Sequence, residues 1–202
     1  MMIIKFLLFS VINYLIGSVP WALVIGKAFY KTDVREFGSG NLGATNTGRI
    51  LGMKPALLVG ILDGLKGFLP ALIESLIDYR IACAAAVFLA VGHCYPLFAQ
   101  FKGGKGVATS AGAILALSLG NFTTVAYCAI MPGLVWFAIT ILSGYVSLGS
   151  LFGTLLSAVN STWAAEDVFT TLAFTLLFAV VTYRHKDNIR RLLDGTETKR
   201  NY

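Results

Sequence analysis

The sequence predicts an all-α, polytopic integral membrane protein: a helical bundle with seven transmembrane helices, or with five as the alternative count. Hydrophobic residues make up 56% of the 202 residues and charged residues only 13%, whereas a soluble domain has about 25% charged residues. The apolar residues are gathered into runs close to the ~20 residues that a helix needs to cross a bilayer. No stretch alternates apolar and polar residues as a half-buried strand does. Residues 1–202 are therefore expected to form one membrane-embedded domain.

The apolar segments define the predicted helices. They lie at residues 3–26, 53–73, 81–101, 106–119, 122–142, 146–163 and 168–183. The first exceeds the roughly 7–15 apolar residues of a signal peptide and has no clear cleavage site, so it is interpreted as a membrane helix. The fourth is short and the sixth is only modestly hydrophobic, and omitting both gives five spans.

The basic residues predict the orientation. With seven alternating spans, thirteen of the 16 Lys and Arg residues fall on one side, Lys5 and Arg80 fall on the other, and Lys66 lies within the second segment. Because positive charge concentrates on the cytoplasmic side, the N-terminus is expected outside and the C-terminus in the cytoplasm. Five spans give the same orientation. The net charge of +6 is thus attributed to orientation and anion binding, and no nucleic acid is expected as a partner.

One ionisable pair and three cysteines lie in or near the apolar segments. Asp63 and Lys66 are three residues apart in the second segment, and they are expected to pair, with contact to the functional site as the alternative. Cys83, Cys94 and Cys128 have no paired spacing and are interpreted as small buried hydrophobic residues rather than a disulfide framework.

A first glycine-rich segment, FGSGNLGATNTGR, occupies residues 37–49. Its candidate site residues are Gly38, Ser39, Gly40, Asn41, Gly43, Thr45, Asn46 and Arg49. Glycines let consecutive backbone N–H groups point at one anion, and arginine can donate paired hydrogen bonds to a phosphate. The GxGxxG match does not indicate a dinucleotide site, because no strand precedes it. A flexible polar loop that caps the next helix is the structural alternative.

A second segment, GHCYPLFAQFKGGKGVAT, occupies residues 92–109. Its candidate site residues are His93, Lys102, Gly103, Gly104, Lys105 and Gly106. A helix is expected to start near Val107, and its N-terminus would add positive dipole character beside the two lysines. The segment therefore predicts a second anion site. A basic loop that serves only topology, and a purely structural role for His93, are the alternatives.

A third segment, RHKDNIRRLLDGTE, occupies residues 184–197. His185 and Asn188 are three residues apart and would share a helix face, with Arg184 and Arg191 a turn to either side. An anionic-lipid anchor is the alternative, although such an anchor needs neither the histidine nor the asparagine. Glu197 is expected to pair with a basic residue.

Several catalytic signatures are absent from the sequence. No His, Cys and carboxylate cluster has metal-ligand spacing, no serine lies in a GxSxG turn, and no histidine has an aspartate five residues later. We therefore expect neither a metal nor a cofactor.

The three segments, together with LDGLKG at residues 62–67, resemble the signature motifs of the bacterial acyl-phosphate:glycerol-3-phosphate acyltransferases, the PlsY family. The resemblance implies a multi-pass enzyme of the bacterial inner membrane with its active site facing the cytoplasm. It also implies the first step of phospholipid biosynthesis: the acyl chain of an acyl phosphate passes to the 1-hydroxyl of sn-glycerol 3-phosphate, giving lysophosphatidic acid and inorganic phosphate. Acyl-CoA and acyl carrier protein would not be used.

The candidate residues divide into two groups according to the substrate that each would bind in this reaction. Arg49, Lys105, His185 and Asn188 would bind glycerol 3-phosphate. Ser39, Asn41 and Thr45, with the 102–106 loop, would hold the acyl phosphate, whose tail would lie between helices in contact with membrane lipid. The predicted catalytic residues are Ser39, Arg49, Lys105, His185 and Asn188. The hydroxyl proton passes either to His185 or to a substrate phosphate oxygen, and the oligomeric state is left open.

Two other classes of protein compete with an acyltransferase. A transporter or channel for a phosphorylated small molecule would place its polar residues near the membrane midplane, in broken helices or an inverted repeat. A lipid-binding scaffold would have little use for so many glycines. The clustering of polar segments at one face favours the enzyme.

Overall fold

The computed structural model describes residues 2–200. Their regular secondary structure is helical, and they contain no β-strand. A 3₁₀ turn covers Leu97–Ala99. The helices are α1 (Met2–Gly17), α2 (Trp21–Tyr30), α3 (Ala44–Leu51), α4 (Met53–Ser75), α5 (Tyr79–Cys94), α6 (Val107–Ser118), α7 (Phe122–Ser143), α8 (Val146–Ala164), α9 (Val168–Arg184) and α10 (Lys186–Leu193). The predicted all-α class is therefore confirmed for this part of the chain.

The described residues contain fewer candidate spans than the seven predicted. Four stretches are long and apolar enough to cross a membrane: Ile3–Tyr30, which joins α1 and α2, then α4, Tyr79–Ala99 and α7. A fifth is counted if α9 and α10, which meet at a 61° bend, form one span. The upper count agrees with the five-span alternative, and the count of seven is not confirmed.

The two helices that fall short do so for different reasons. Helix α6 has 12 residues, so it is ~18 Å long and cannot cross a hydrocarbon core of ~30 Å. Helix α8 has 19 residues and is long enough, but polar residues on its buried face lower its hydropathy. Those residues are Ser147, Ser150, Thr154, Ser157, Asn160 and Ser161.

Helix α6 lies directly against α4. A Cβ atom on Gly67 would overlap the carbonyl oxygen of Thr109, and one on Gly112 would overlap the carbonyl oxygen of Gly64. Such close approach of two backbones is typical of membrane helices with small interfacial residues. Because Gly64 and Gly67 lie midway along α4, α6 begins beside the middle of that helix.

The core of the bundle surrounds α5. Leu89 on α5, Leu117 on α6, and Phe174 and Leu177 on α9 are at most 2% exposed. By contrast, large apolar side chains on α7, such as Leu134, are exposed. An outer surface of this kind is expected when lipid rather than water surrounds the protein.

Candidate active site

Asn46 shapes the glycine-rich loop that precedes α3. Its buried side-chain amide donates to the carbonyl oxygens of Val34 (2.9 Å) and Phe37 (3.3 Å), and its Oδ1 accepts the N–H of Ser39 (2.8 Å). The amide is thus committed to the protein backbone. Asn46 therefore holds the loop in this structure, and its predicted contact with substrate stays a prediction. Gly38 has φ +60°, and any Cβ there would overlap Asn46 Oδ1, so glycine is required.

The other predicted residues of this segment are less constrained. Gly40 also has a positive φ of +68°, whereas Gly43 caps α3 with an extended φ of −154° that any residue can adopt. Asn41 donates to Ser39 Oγ (3.2 Å). Thr45 lies in the first turn of α3, two residues after Gly43, and is half-buried.

One of the basic residues near this loop is already neutralised. Arg35 donates to Asp33 through Nη2 (2.7 Å) and Nε (3.0 Å), and Lys27 Nζ lies 3.2 Å from the same carboxylate. Hydrogen bonding from Arg35 holds the pKa of Asp33 well below its usual range. The Arg35 charge is therefore largely balanced within the protein.

The Gly103–Gly104 segment lies between His93 and the side chain of Arg184. The Gly104 N–H donates to the carbonyl oxygen of His93 (3.2 Å), and a Cβ on Gly104 would overlap His93 Nε2. On the other side, Arg184 donates through Nε to the Gly104 carbonyl (3.1 Å) and through Nη2 to that of Gly103 (3.4 Å). The expectation that Gly104 offers its amide to an anion is therefore wrong: its N–H is used, and the glycines permit close packing.

His93 was predicted to bind substrate, but the structure places its ring beneath this loop. The side chain is buried, and its Nδ1 lies 3.4 Å from Asp63 Oδ1. Asp63 also forms the predicted pair with Lys66, at 2.8 Å. His93 therefore belongs to a buried polar network rather than to an open binding surface.

A cleft of about 590 Å³ is lined by residues from all three motif segments. They include Ser39, Gly40, Asn41, Lys102, Gly103 and Arg184. These segments are distant in sequence, and tertiary packing brings them to one opening. Its wall carries Arg35, Lys102 and Arg184 against Asp33 and Glu36, and this net positive charge suits the cleft to an anion.

A second polar cluster is centred on Asn188. Lys105 Nζ donates to Asn188 Oδ1 (2.5 Å), and Asn188 Nδ2 donates to Glu197 Oε1 (2.6 Å). Glu197 also accepts from Arg191 Nε (2.8 Å) and Ser147 Oγ (2.7 Å), so its predicted pairing with a basic residue is confirmed. These hydrogen bonds lower the pKa of Glu197, although burial alone would raise it.

Four charged residues influence Lys105, which lies at the positive end of α6 next to Gly106. Burial, helped by the nearby charges of Arg191, Arg49 and Arg184 and opposed by Glu197, lowers the pKa of Lys105 to about 8. Arg49 from the first segment is therefore close enough to act electrostatically on Lys105, although it is exposed and lies on α3. Gly106 has φ +80° at the N-cap of α6, and the predicted start of this helix at Val107 is confirmed.

His185 lies in the bend between α9 and α10, not on one helix with Asn188 as predicted. Its Nδ1 lies 2.8 Å from the Val181 carbonyl oxygen. A carbonyl only accepts, so Nδ1 carries the proton and, in a neutral ring, Nε2 keeps a free lone pair. Lys105 is near enough to interact electrostatically with this ring.

The predicted site set did not include Arg184 or Ser147. The position of Arg184 at the end of an apolar segment was a usable signal for a site residue. Ser147 gave no such signal, because it is one of many small polar residues in its helix. Among residues 2–200, no group of three His, Cys, Asp or Glu side chains could hold a metal ion.

Comparison with known families gives a consistent match. The family model described as "Glycerol-3-phosphate acyltransferase" matches residues 7–195. The chain is 42% identical to a glycerol-3-phosphate acyltransferase of Listeria monocytogenes serovar 1/2a, with 98% of each chain covered. It is 41% identical to a glycerol-3-phosphate acyltransferase 2 of Bacillus cereus, covering 100% of this chain and 98% of that relative.

Two solved structures share the fold. Both are crystal structures of PlsY (YgiH), described as an integral membrane glycerol 3-phosphate acyltransferase. The glycerol 3-phosphate form is 39% identical with a TM-score of 0.88, covering 97% of this chain and 96% of that one. The lysophosphatidic acid form is 38% identical with a TM-score of 0.85, covering 96% and 94%.

Proposed function

The chain belongs to the glycerol-3-phosphate acyltransferase family, and we propose that it transfers the acyl chain of a fatty acyl phosphate to the 1-hydroxyl of sn-glycerol 3-phosphate. The products are lysophosphatidic acid and inorganic phosphate, made by one domain of residues 1–202. The observation that carries this proposal is the convergence of cations from three distant segments on two adjacent sites. Two phosphate-bearing substrates need two such sites. The solved PlsY structures in glycerol 3-phosphate and lysophosphatidic acid forms support the acceptor and the product.

The two sites lie on either side of the Gly103–Gly104 loop. Lys102 lines the cleft with Ser39 and Asn41, and this side is assigned to the acyl phosphate. Lys105 contacts Asn188, and this side, with Arg49 and His185, is assigned to glycerol 3-phosphate. The acyl tail extends from the cleft between helices into lipid.

The reaction needs little covalent chemistry from the protein. The 1-hydroxyl oxygen attacks the acyl carbonyl carbon, the bond from that carbon to the phosphate oxygen breaks, and inorganic phosphate leaves with the bonding electrons. An acyl phosphate is already activated, so no covalent acyl-enzyme is required. Positioning and charge stabilisation by Ser39, Arg49, Lys105 and Asn188 account for catalysis.

The hydroxyl proton has two candidate acceptors. His185 Nε2 is one, because Nδ1–H is held by Val181, and a substrate phosphate oxygen is the other. We favour the phosphate, since several cations near His185 oppose adding a further charge to the ring. A His185→Gln variant that keeps most of its kcat while its KM rises would support this choice. Loss of kcat at saturating substrate would instead identify His185 as the general base.

We assign the enzyme to the bacterial inner membrane with its site facing the cytoplasm and its N-terminus outside. The native cysteines Cys83, Cys94 and Cys128 are buried, so cysteines introduced at Lys186 and Glu166 can be labelled selectively. In intact cells an impermeant maleimide should label Glu166→Cys and spare Lys186→Cys. The reverse pattern would contradict the orientation.

The activity has a direct test. Purified protein in detergent, given palmitoyl phosphate and glycerol 3-phosphate, should release inorganic phosphate and form a lysolipid in equal amounts. Palmitoyl-CoA in place of palmitoyl phosphate should give neither product. A protein that binds glycerol 3-phosphate without forming a lysolipid would be a transporter or scaffold, and the proposal would be wrong.

A further inference from the structure

A cluster of three ionisable side chains lies inside the bundle without lining either phosphate site. Asp63 and Lys66 on α4 and His93 on α5 are 2%, 7% and 6% exposed. Ionisable residues within membrane-spanning helices are costly and commonly functional. A pair that only joined two helices could be replaced by apolar residues, often without loss of stability.

The three side chains form one network with a backbone anchor. Asp63 Oδ1 lies 2.8 Å from Lys66 Nζ and 3.4 Å from His93 Nδ1. Lys66 also donates to the Val19 carbonyl oxygen at 2.8 Å. That carbonyl lies in the break between α1 and α2, directly before Pro20. The network thereby ties α4 and α5 to the start of α2.

His93 connects this network to the 102–106 loop. Its carbonyl accepts the Gly104 N–H, and its ring leaves no space for a side chain at Gly104. Arg184 holds the Gly103 and Gly104 carbonyls from the opposite side. The Gly103–Gly104 segment thus packs directly on the ring of His93.

We propose that Asp63, Lys66 and His93 are positioning residues: they hold the His93 ring in place against the Gly103–Gly104 backbone, and so set the separation of Lys102 from Lys105. The inference rests on the proposed function, in which those two lysines hold the two substrate phosphates. Glycines leave the loop backbone intrinsically free, and a displacement of ~1 Å at a reacting centre can cost about 10²-fold in rate. Rigid packing beneath the Gly103–Gly104 loop is therefore required to align the two substrates with each other.

His93→Asn is the informative variant, because asparagine can still donate to Asp63 but is too short to support Gly104. It should raise the KM for glycerol 3-phosphate by ~10-fold or more, with a small change in Tm. It should also increase hydrogen–deuterium exchange of the 100–106 backbone in the ligand-free protein. The matched control is Glu74→Gln, at an equally buried carboxylate on α4 that accepts from Asn13. It should leave both the KM and the loop exchange unchanged, whatever its effect on Tm.

A double variant tests the same network without leaving an unpaired buried charge that could cause misfolding. Asp63→Asn leaves the Lys66 charge without its carboxylate, whereas Asp63→Asn combined with Lys66→Met removes both charges. The double variant should fold and show the same rise in KM and in loop exchange as His93→Asn. Wild-type KM and wild-type loop exchange in both His93→Asn and the double variant would overturn the positioning role. If the wild-type enzyme makes no lysolipid, the proposed function fails, and the exchange measurement still decides whether the network holds the loop.

Discussion

The pH dependence of the acyl transfer should be set by Lys105. Its pKa is lowered to about 8, first by burial and then by Arg191, Arg49 and Arg184. Lysine is charged below its pKa, so this ammonium group is lost as pH rises through about 8. With a free-enzyme pKa of 8, the charged fraction is ~90% at pH 7 and ~10% at pH 9.

If only the charged form binds glycerol 3-phosphate, kcat/KM for that substrate should fall ~10-fold between pH 7 and pH 9. An unperturbed lysine, with a pKa of about 10.4, would stay more than ~90% charged over this range and give an almost flat profile. The second pKa of a phosphate monoester is about 6, so the substrate is a dianion for most of the range. The fall in kcat/KM therefore reflects ionisation of the protein and not of the substrate.

The assay follows phosphate release from palmitoyl phosphate in detergent, with a protein-free blank at each pH and a parallel Tm measurement. Lys105→Arg is the matched variant, because arginine stays charged throughout. Its kcat/KM is expected to be lower overall, since the Asn188 contact changes, but its profile should lose the fall above pH 8. A wild-type profile that stays flat to pH 9, or an identical fall in Lys105→Arg, would refute the assignment.

Three further predictions concern single residues. Arg49→Ala should lower kcat/KM for glycerol 3-phosphate by ~10-fold or more with Tm unchanged, because a paired phosphate contact is lost from an exposed side chain; wild-type kinetics would contradict this. Glu197→Ala should lower the free energy of unfolding by about 1–3 kcal/mol, since Asn188 loses a buried acceptor; chemical denaturation measures this, and an unchanged midpoint would argue against it. Gly104→Ala should raise the KM for glycerol 3-phosphate, because its Cβ would overlap His93 Nε2 and lie 2.6 Å from the Leu42 carbonyl oxygen. Gly133→Ala, where nothing lies within 4 Å, should keep wild-type kinetics, and equal behaviour of the two variants would exclude the steric explanation.

Local patterns in the sequence were sufficient for the helical class and for several boundaries. The apolar run at residues 53–73 corresponds to α4, Met53–Ser75, and the start of α6 at Val107 follows the glycines before it. Apolar runs and glycines act through neighbouring residues, so their effects can be predicted without tertiary contacts. The same holds for the Asp63–Lys66 pair, whose members are one helical turn apart.

The number of spans was less predictable, because hydropathy measures the length of an apolar run but not its depth beside other helices. Helix α6 is apolar yet short, and only its contacts with Gly64 and Gly67 show that it begins midway along α4. Nothing local to residues 106–119 contains that information.

The sequence by itself determined which side chains could bind phosphate, because glycine, lysine and arginine have the required chemistry wherever they lie. Tertiary structure alone decided which of them face a ligand and which support others. Asn46 and His93 carry polar groups suited to binding, but partners more than eight residues away occupy them: Val34 for the first and Asp63 for the second. The direction and the partner of a buried polar group are set by packing between distant segments, and that packing depends on the whole chain.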